Sequence, residues 1–257
     1  MDHKKVEEPV RSPFTECISP EVCTSQDLFF FDWDDTLFPT TWMSDNQYIK
    51  KMPGELPVEI QTLFAHLDLL LKNLFSMVFP LGKVYILTLA DEGWINHGFR
   101  HFYPSLACFY RRFSLLARPP SIRTTDKAQT WKKNKMSQLV LSEYGDVGHR
   151  PGVHSVYCFG DSLNDRDAAK QLEQFRLGLN IKAVKFSDTP SIKTLYQEIS
   201  LVKEGIDRKS LLVPKPLDFF IRIEDQLPPG SYSPRDPSPK ATLSKEKIRS
   251  SRSKQKV

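Results

Sequence analysis

An α/β domain built on a mostly parallel sheet is what this sequence predicts, on three observations. From residue 27 to about 225, short apolar runs alternate with segments of helical period. The runs are almost continuously apolar, as strands covered on both faces are. Two of them, Leu28-Phe29-Phe30-Phe31 and Val156-Tyr157-Cys158-Phe159, lead into acidic residues, the first directly and the second through Gly160.

The first strand falls at about 27–32. Residues 33–56 carry Pro39, Pro53 and Gly54 and read as a loop or hairpin excursion. Val58, Ile60, Leu63, Phe64, Leu67, Leu70 and Leu71 then recur at the spacing of one helix face, until Pro80-Leu81-Gly82 breaks the pattern. Val84 to Leu89 is a second strand, 92–103 a helical segment, and Phe113 to Ala117 a short third strand. A polar loop after Pro119-Pro120 leads to a helix at about 129–143. Val153 to Phe159 is the fourth strand, 162–176 a helix, Ile181 to Phe186 the fifth strand and 190–204 a helix. Leu217 to Ile223 is a sixth strand at a sheet edge. The pattern describes a Rossmann-like three-layer sandwich with a short flap after its first strand and no large cap domain. Residues 1–26 and 226–257 are expected as disordered arms on a domain spanning 27–225.

Composition narrows the classes. With 257 residues, 40% hydrophobic and 11% aromatic, the chain can bury a substantial core. The formal charge of +5 is concentrated. Residues 240–257 hold seven Lys or Arg and one Glu, so the rest is nearly neutral. The basic end suits solubility as well as it suits an acidic partner. Nucleic-acid contact would rest on this tail alone. Cys17, Cys23, Cys108 and Cys158 form no CxxC pair and no metal-ligand spacing, which fits a reducing compartment. No apolar leader opens the chain, and the apolar stretch near 63–81 is broken by His66, Asp68, Lys72 and Asn73. The expectation is a cytoplasmic or nuclear protein without a membrane span.

The chemistry lies at the strand ends. Asp32, Asp34 and Asp35 follow the first strand. Ligands bind at the carboxyl ends of strands in open α/β sheets. Carboxylates gathered there repel one another unless a cation sits between them. The fourth strand runs into Gly160-Asp161-Ser162-Leu163-Asn164-Asp165. If the two strands are neighbours, Asp161 faces Asp32 and Asp34, with Asp165 in direct or water-mediated support of an oxygen-ligated Mg²⁺. Ser162 suits a helix cap. Thr88, at the end of the second strand, can bond a phosphoryl oxygen, and one of Lys127, Lys132, Lys133 or Lys135 can offset phosphate charge.

Taken together, and in this order, these residues resemble the motifs of the haloacid dehalogenase-like superfamily in its phosphatase branch. Asp32-Trp33-Asp34-Asp35-Thr36-Leu37 matches the first motif, Thr88 the second, Lys132 the third and Gly160 to Asp165 the fourth. The resemblance covers about residues 27–205. It implies hydrolysis of phosphomonoesters, with Asp32 as nucleophile and Asp34 as general acid and base. Mg²⁺ would be held by Asp32, the Asp34 carbonyl and Asp161, assisted by Asp165. Thr88 and Lys132 would hold the phosphoryl group. Lys132 is preferred over Lys133 and Lys127 because Trp131 beside it would anchor the turn. Asp35 is assigned to the turn. The short intervals from Asp32 to Thr88 and from Thr88 to Lys132 imply an open site. Such a site suits a phosphoprotein or another bulky phosphoester, or one closed by oligomerisation. Trp42 and Trp94 could rim it, packing being the commoner role for each.

Two other readings compete. Gly160-Asp161-Ser162-Leu163 also resembles the signature of GDSL-type esterases, but that serine needs a downstream histidine, and none of the six histidines follows Ser162. A catalytically silent metal-binding or protein-interaction module would be expected to lack the nucleophile or the acid, and both are present.

Overall fold

The computed structural model describes residues 27–122, 124–145, 154–175, 177–212 and 220–222. Both expected arms lie outside the described residues. Six parallel strands form one sheet in the order β3-β2-β1-β4-β5-β6. They are β1 (Asp27–Phe31), β2 (Gly82–Leu87), β3 (Ser114–Leu116), β4 (Ser155–Gly160), β5 (Asn180–Lys185) and β6 (Phe220–Arg222). The helices are α1 (Thr40–Asp45), α2 (Val58–Val78), α3 (Glu92–His97), α4 (Thr125–Tyr144), α5 (Leu163–Gln171) and α6 (Ile192–Asp207).

β1 lies inside the sheet and is buried on both faces, and its side chains divide with the period of two that a strand imposes. Phe29 and Phe31 enter the core formed with α2 and α6, where Phe64, Leu67, Leu71, Phe75, Leu195 and Ile199 are buried. Leu28 and Phe30 enter the opposite core with Met136 and Val140 of α4 and Ala168 and Ala169 of α5. Facing rings on neighbouring strands stack: Phe29 on Tyr157 at 4.7 Å, Phe31 on Phe159 at 4.3 Å and Phe30 on Tyr85 at 4.9 Å between centroids. Such pairs stabilise register beyond the area they bury.

The chain builds β1, β2 and β3 outward in one direction, then returns to place β4 on the other side of β1. That reversal leaves a crevice at the carboxyl ends of β1 and β4. Phe31 pairs with Phe159, and the Asp32 amide donates to the Phe159 carbonyl at 2.9 Å. The two acidic strand ends are therefore level and adjacent.

Two local expectations are corrected. Residues 33–56 form no hairpin; they hold α1 and a 3₁₀ turn at Pro53–Glu55. The six residues of α1 are too few to display a period, and side-chain bonds to Asp34 and Asp35 support its first turn. α4 begins at Thr125 rather than 129, so Lys127 lies on the helix and not in the loop before it. The 92–103 segment is helical as expected, as α3 followed by a turn of π-helix, Gly98–Phe102. The segments between β1 and β2 and between β2 and α4 pack into the domain itself, with no separate cap among the described residues. No helix of the described residues is long and apolar enough to cross a membrane.

Candidate active site

Asp32 follows β1 on the side of the sheet that faces α4 and α5. Every fourth residue of α4 from Ala128 is buried: Ala128, Lys132, Met136, Val140 and Tyr144. Lys132 occupies an apolar stripe, so its ammonium is buried at the carboxyl ends of β1 and β4. It bridges Asp32 Oδ2 at 2.9 Å and Asp165 Oδ1 at 2.6 Å. Burial opposes charge on Lys132, but Asp165 and Asp32 outweigh it and hold the ammonium above the usual lysine range. Among the rival lysines, Lys127 is exposed and Lys133 only half-buried. The helical register, rather than a turn anchored by Trp131, selects Lys132; Trp131 sits within the helix and packs against the α4/α5 core.

Asp165 is held from both ends. Its Oδ1 takes Lys132, and its Oδ2 accepts the Ser162 hydroxyl at 2.6 Å and the Ser162 amide at 3.3 Å. Ser162 in turn caps α5, which gives this serine a structural task in place of nucleophilic chemistry. Gly160 is required by close approach, since a Cβ there would lie 2.4 Å from the Asp165 carboxylate. With both oxygens bonded by the protein, Asp165 serves Lys132 first and is less available as a ligand than Asp161.

One carboxylate oxygen each from Asp32, Asp161 and Asp165 lies within 4.8 Å of the others. Burial, followed by the charges of Asp32, Asp165 and Asp35, pushes Asp161 up to about 8. Asp32 is also raised, by burial above all, against the pull of Lys132. One ammonium does not neutralise this cluster. An all-oxygen donor set with surplus negative charge fits a hard divalent cation.

Thr88, one residue beyond β2, is buried beside this cluster, and its hydroxyl accepts the Ala90 amide at 3.1 Å. Asp32, Asp34, Thr88, Lys132 and Asp161 line one cleft of about 220 Å³, joined by Leu89, Gln129, Ser162 and Asn164. The Asp34 side chain stands apart from the three-carboxylate cluster. Its Oδ1 accepts the Thr40 hydroxyl at 2.5 Å and the Trp94 indole N–H at 3.1 Å. Asp35 has the left-handed φ of 53°, and its carboxylate receives the amide and hydroxyl of Thr41, so it is a turn residue.

Sequence reasoning missed Thr40 as a partner of Asp34 and gave Trp94 no polar role. No pattern links residues six and sixty positions away. Gln129 was also missed, although it lies three residues before Lys132 and hence on the same helix face. Comparison with protein families, with curated proteins and with solved structures finds no match for this chain.

Proposed function

We propose that the protein is a Mg²⁺-dependent phosphatase that hydrolyses phosphomonoesters through an aspartyl-phosphate on Asp32. The observation that carries this reading is the convergence on one cleft of Asp32, Asp34, Thr88, Lys132 and Asp161, from four separate parts of the chain. The resemblance of their order to the haloacid dehalogenase-like motifs supports it.

In this reading Asp32 attacks phosphorus while the bond to the ester oxygen breaks. Asp34 gives that oxygen its proton. A water then attacks the aspartyl-phosphate, its proton passing to Asp34, and phosphate leaves with Asp32 restored. Lys132 offsets charge on the transferring oxygens and keeps Asp32 ionised, and Thr88 donates to one of them. Asp32, Asp161 and the Asp34 carbonyl would hold Mg²⁺, which when bound supplies positive charge to the phosphoryl oxygens. Among the described residues no donor bonds the Asp34 carbonyl, which fits this use. An open cleft suits a substrate whose bulk stays outside it, such as a phosphoprotein.

The test is hydrolysis of an aryl phosphate by the parent and by Asp32→Asn, with and without Mg²⁺. Metal-dependent turnover that vanishes in Asp32→Asn is expected. Turnover that survives the substitution would remove the nucleophile. A parent inactive on aryl phosphates and phosphopeptides alike would favour the silent module.

A further inference from the structure

We infer that Thr40 and Trp94 are positioning residues that confine the transferable proton of Asp34 to its Oδ2 oxygen. The inference rests on the phosphatase reading and assigns to two side chains the task of aiming its acid.

Indole nitrogen only donates, so the oxygen facing Trp94 Nε1 must accept. The Thr40 hydroxyl has one proton and two acceptors in reach, Asp34 Oδ1 at 2.5 Å and the Phe38 carbonyl at 3.5 Å. The short contact takes the proton. Oδ1 is thereby occupied by two donors, and no described residue donates to Oδ2. A proton carried by Asp34 is left on the oxygen that no described donor claims, in a side chain that lines the cleft.

The indole is itself fixed. Asp91 caps α3 by accepting the Trp94 amide at 2.9 Å. The ring meets Phe38 edge-on at 5.1 Å and stacks on His97 at 5.7 Å. Beyond α3, Gly98 lies so near Trp33 that a Cβ would meet the indole at 2.4 Å, which seats this segment against the residue preceding Asp34. Thr40 opens α1, directly after Pro39. The acid is therefore oriented by two helices that contribute nothing else to the cleft. A group locked in one rotamer needs less reorganisation when it transfers its proton.

The test compares kcat/KM for two phosphomonoesters. 4-Nitrophenyl phosphate has a leaving group that departs without a proton, whereas an alkyl phosphate needs the acid. General acid catalysis contributes about 10²–10⁴-fold. In Trp94→Phe, which keeps a ring against Phe38, and in Thr40→Val, the alkyl-to-aryl ratio is expected to fall at least about tenfold. Thr40→Ser, which restores the hydroxyl, should return to the parent ratio. Asp34→Asn marks the limit of complete acid loss. Equal losses on both substrates would make the two residues merely structural and overturn the inference, as would an unchanged ratio in both Trp94→Phe and Thr40→Val. A parent inactive on both esters and on phosphopeptides, with or without Mg²⁺, removes the phosphatase reading and the inference with it, whereas a parent that turns over the aryl ester and not the alkyl ester lacks a working acid and removes the inference alone. An active parent with an altered Asp34→Asn but parent-like Trp94→Phe and Thr40→Val removes the inference alone.

Discussion

Lys132 holds two buried carboxylates with one charge. Among the described residues it is the one cation bonded to both Asp32 and Asp165. Removing one partner of a buried pair costs about 3–5 kcal/mol, because the other charges stay buried. Lys132→Met should therefore lower stability in urea by about 3 kcal/mol or more in the absence of metal, and abolish aryl-phosphate turnover. A variant as stable as the parent would show that the bridge does not hold the site. Gly160→Ala is a sharper probe, since its methyl group would collide with the Asp165 carboxylate. A fall in turnover of at least about tenfold is expected, through a displaced Lys132, with the far-ultraviolet spectrum of the fold retained.

Asp161 gives the site its pH dependence. Its folded pKa of about 8 stands above the ordinary 3.8, so the native state holds a proton that the unfolded chain has lost. Stability from this group is present below about pH 4 and is lost as pH rises towards 8. A divalent cation must displace that proton and binds more tightly as pH rises through the same window. The stabilisation by Mg²⁺ in urea unfolding should thus be larger at pH 8 than at pH 5. Equal stabilisation at both, or none, would exclude Asp161 as a ligand.

Among the elements, β1 and α4 determine the site. β1 has aromatic side chains in both cores, and Phe31 packs on Phe159 and edge-on against Phe75 at 5.0 Å. Phe31→Ala should destabilise by about 3–5 kcal/mol, read from the urea midpoint. A cost under about 1 kcal/mol would mean the strand is not the centre of the core. α4 shows what could be read beforehand and what was passed over. A lysine in phase with Ala128, Met136 and Val140 is visible in the sequence as a charge on an apolar stripe. The structure buries Lys132 through this stripe rather than through a turn anchored by Trp131. Its bonds to Asp32 and Asp165 could not be read, because they depend on how far the helix slides along the sheet.

At the scale of the molecule, the strand order makes the site. A chain that built β4 beyond β3 would hold the same motifs with Asp161 three strands away from Asp32. Because the reversal falls between β1 and β4, the acidic ends meet. The described lining of this cleft lies between residues 32 and 164. Removal of residues 226–257 is expected to leave aryl-phosphate turnover at the parent level and to abolish any salt-sensitive binding to nucleic acid. Loss of turnover on truncation would assign the tail a part in the site.

The sequence alone determined the α/β class, the order of strands and helices, and the candidates Asp32, Asp34, Thr88, Lys132 and Asp161. Burial and periodicity are local properties, and a strand or helix writes them into consecutive residues. The tertiary structure decided the rest: that β1 and β4 are neighbours, that Lys132 rather than Lys127 or Lys133 turns inward, that Asp165 is spent on lysine and serine, and that Trp94 reaches Asp34. Each of these is a contact between distant parts of the chain, fixed by how whole layers pack, and no run of neighbouring residues encodes it.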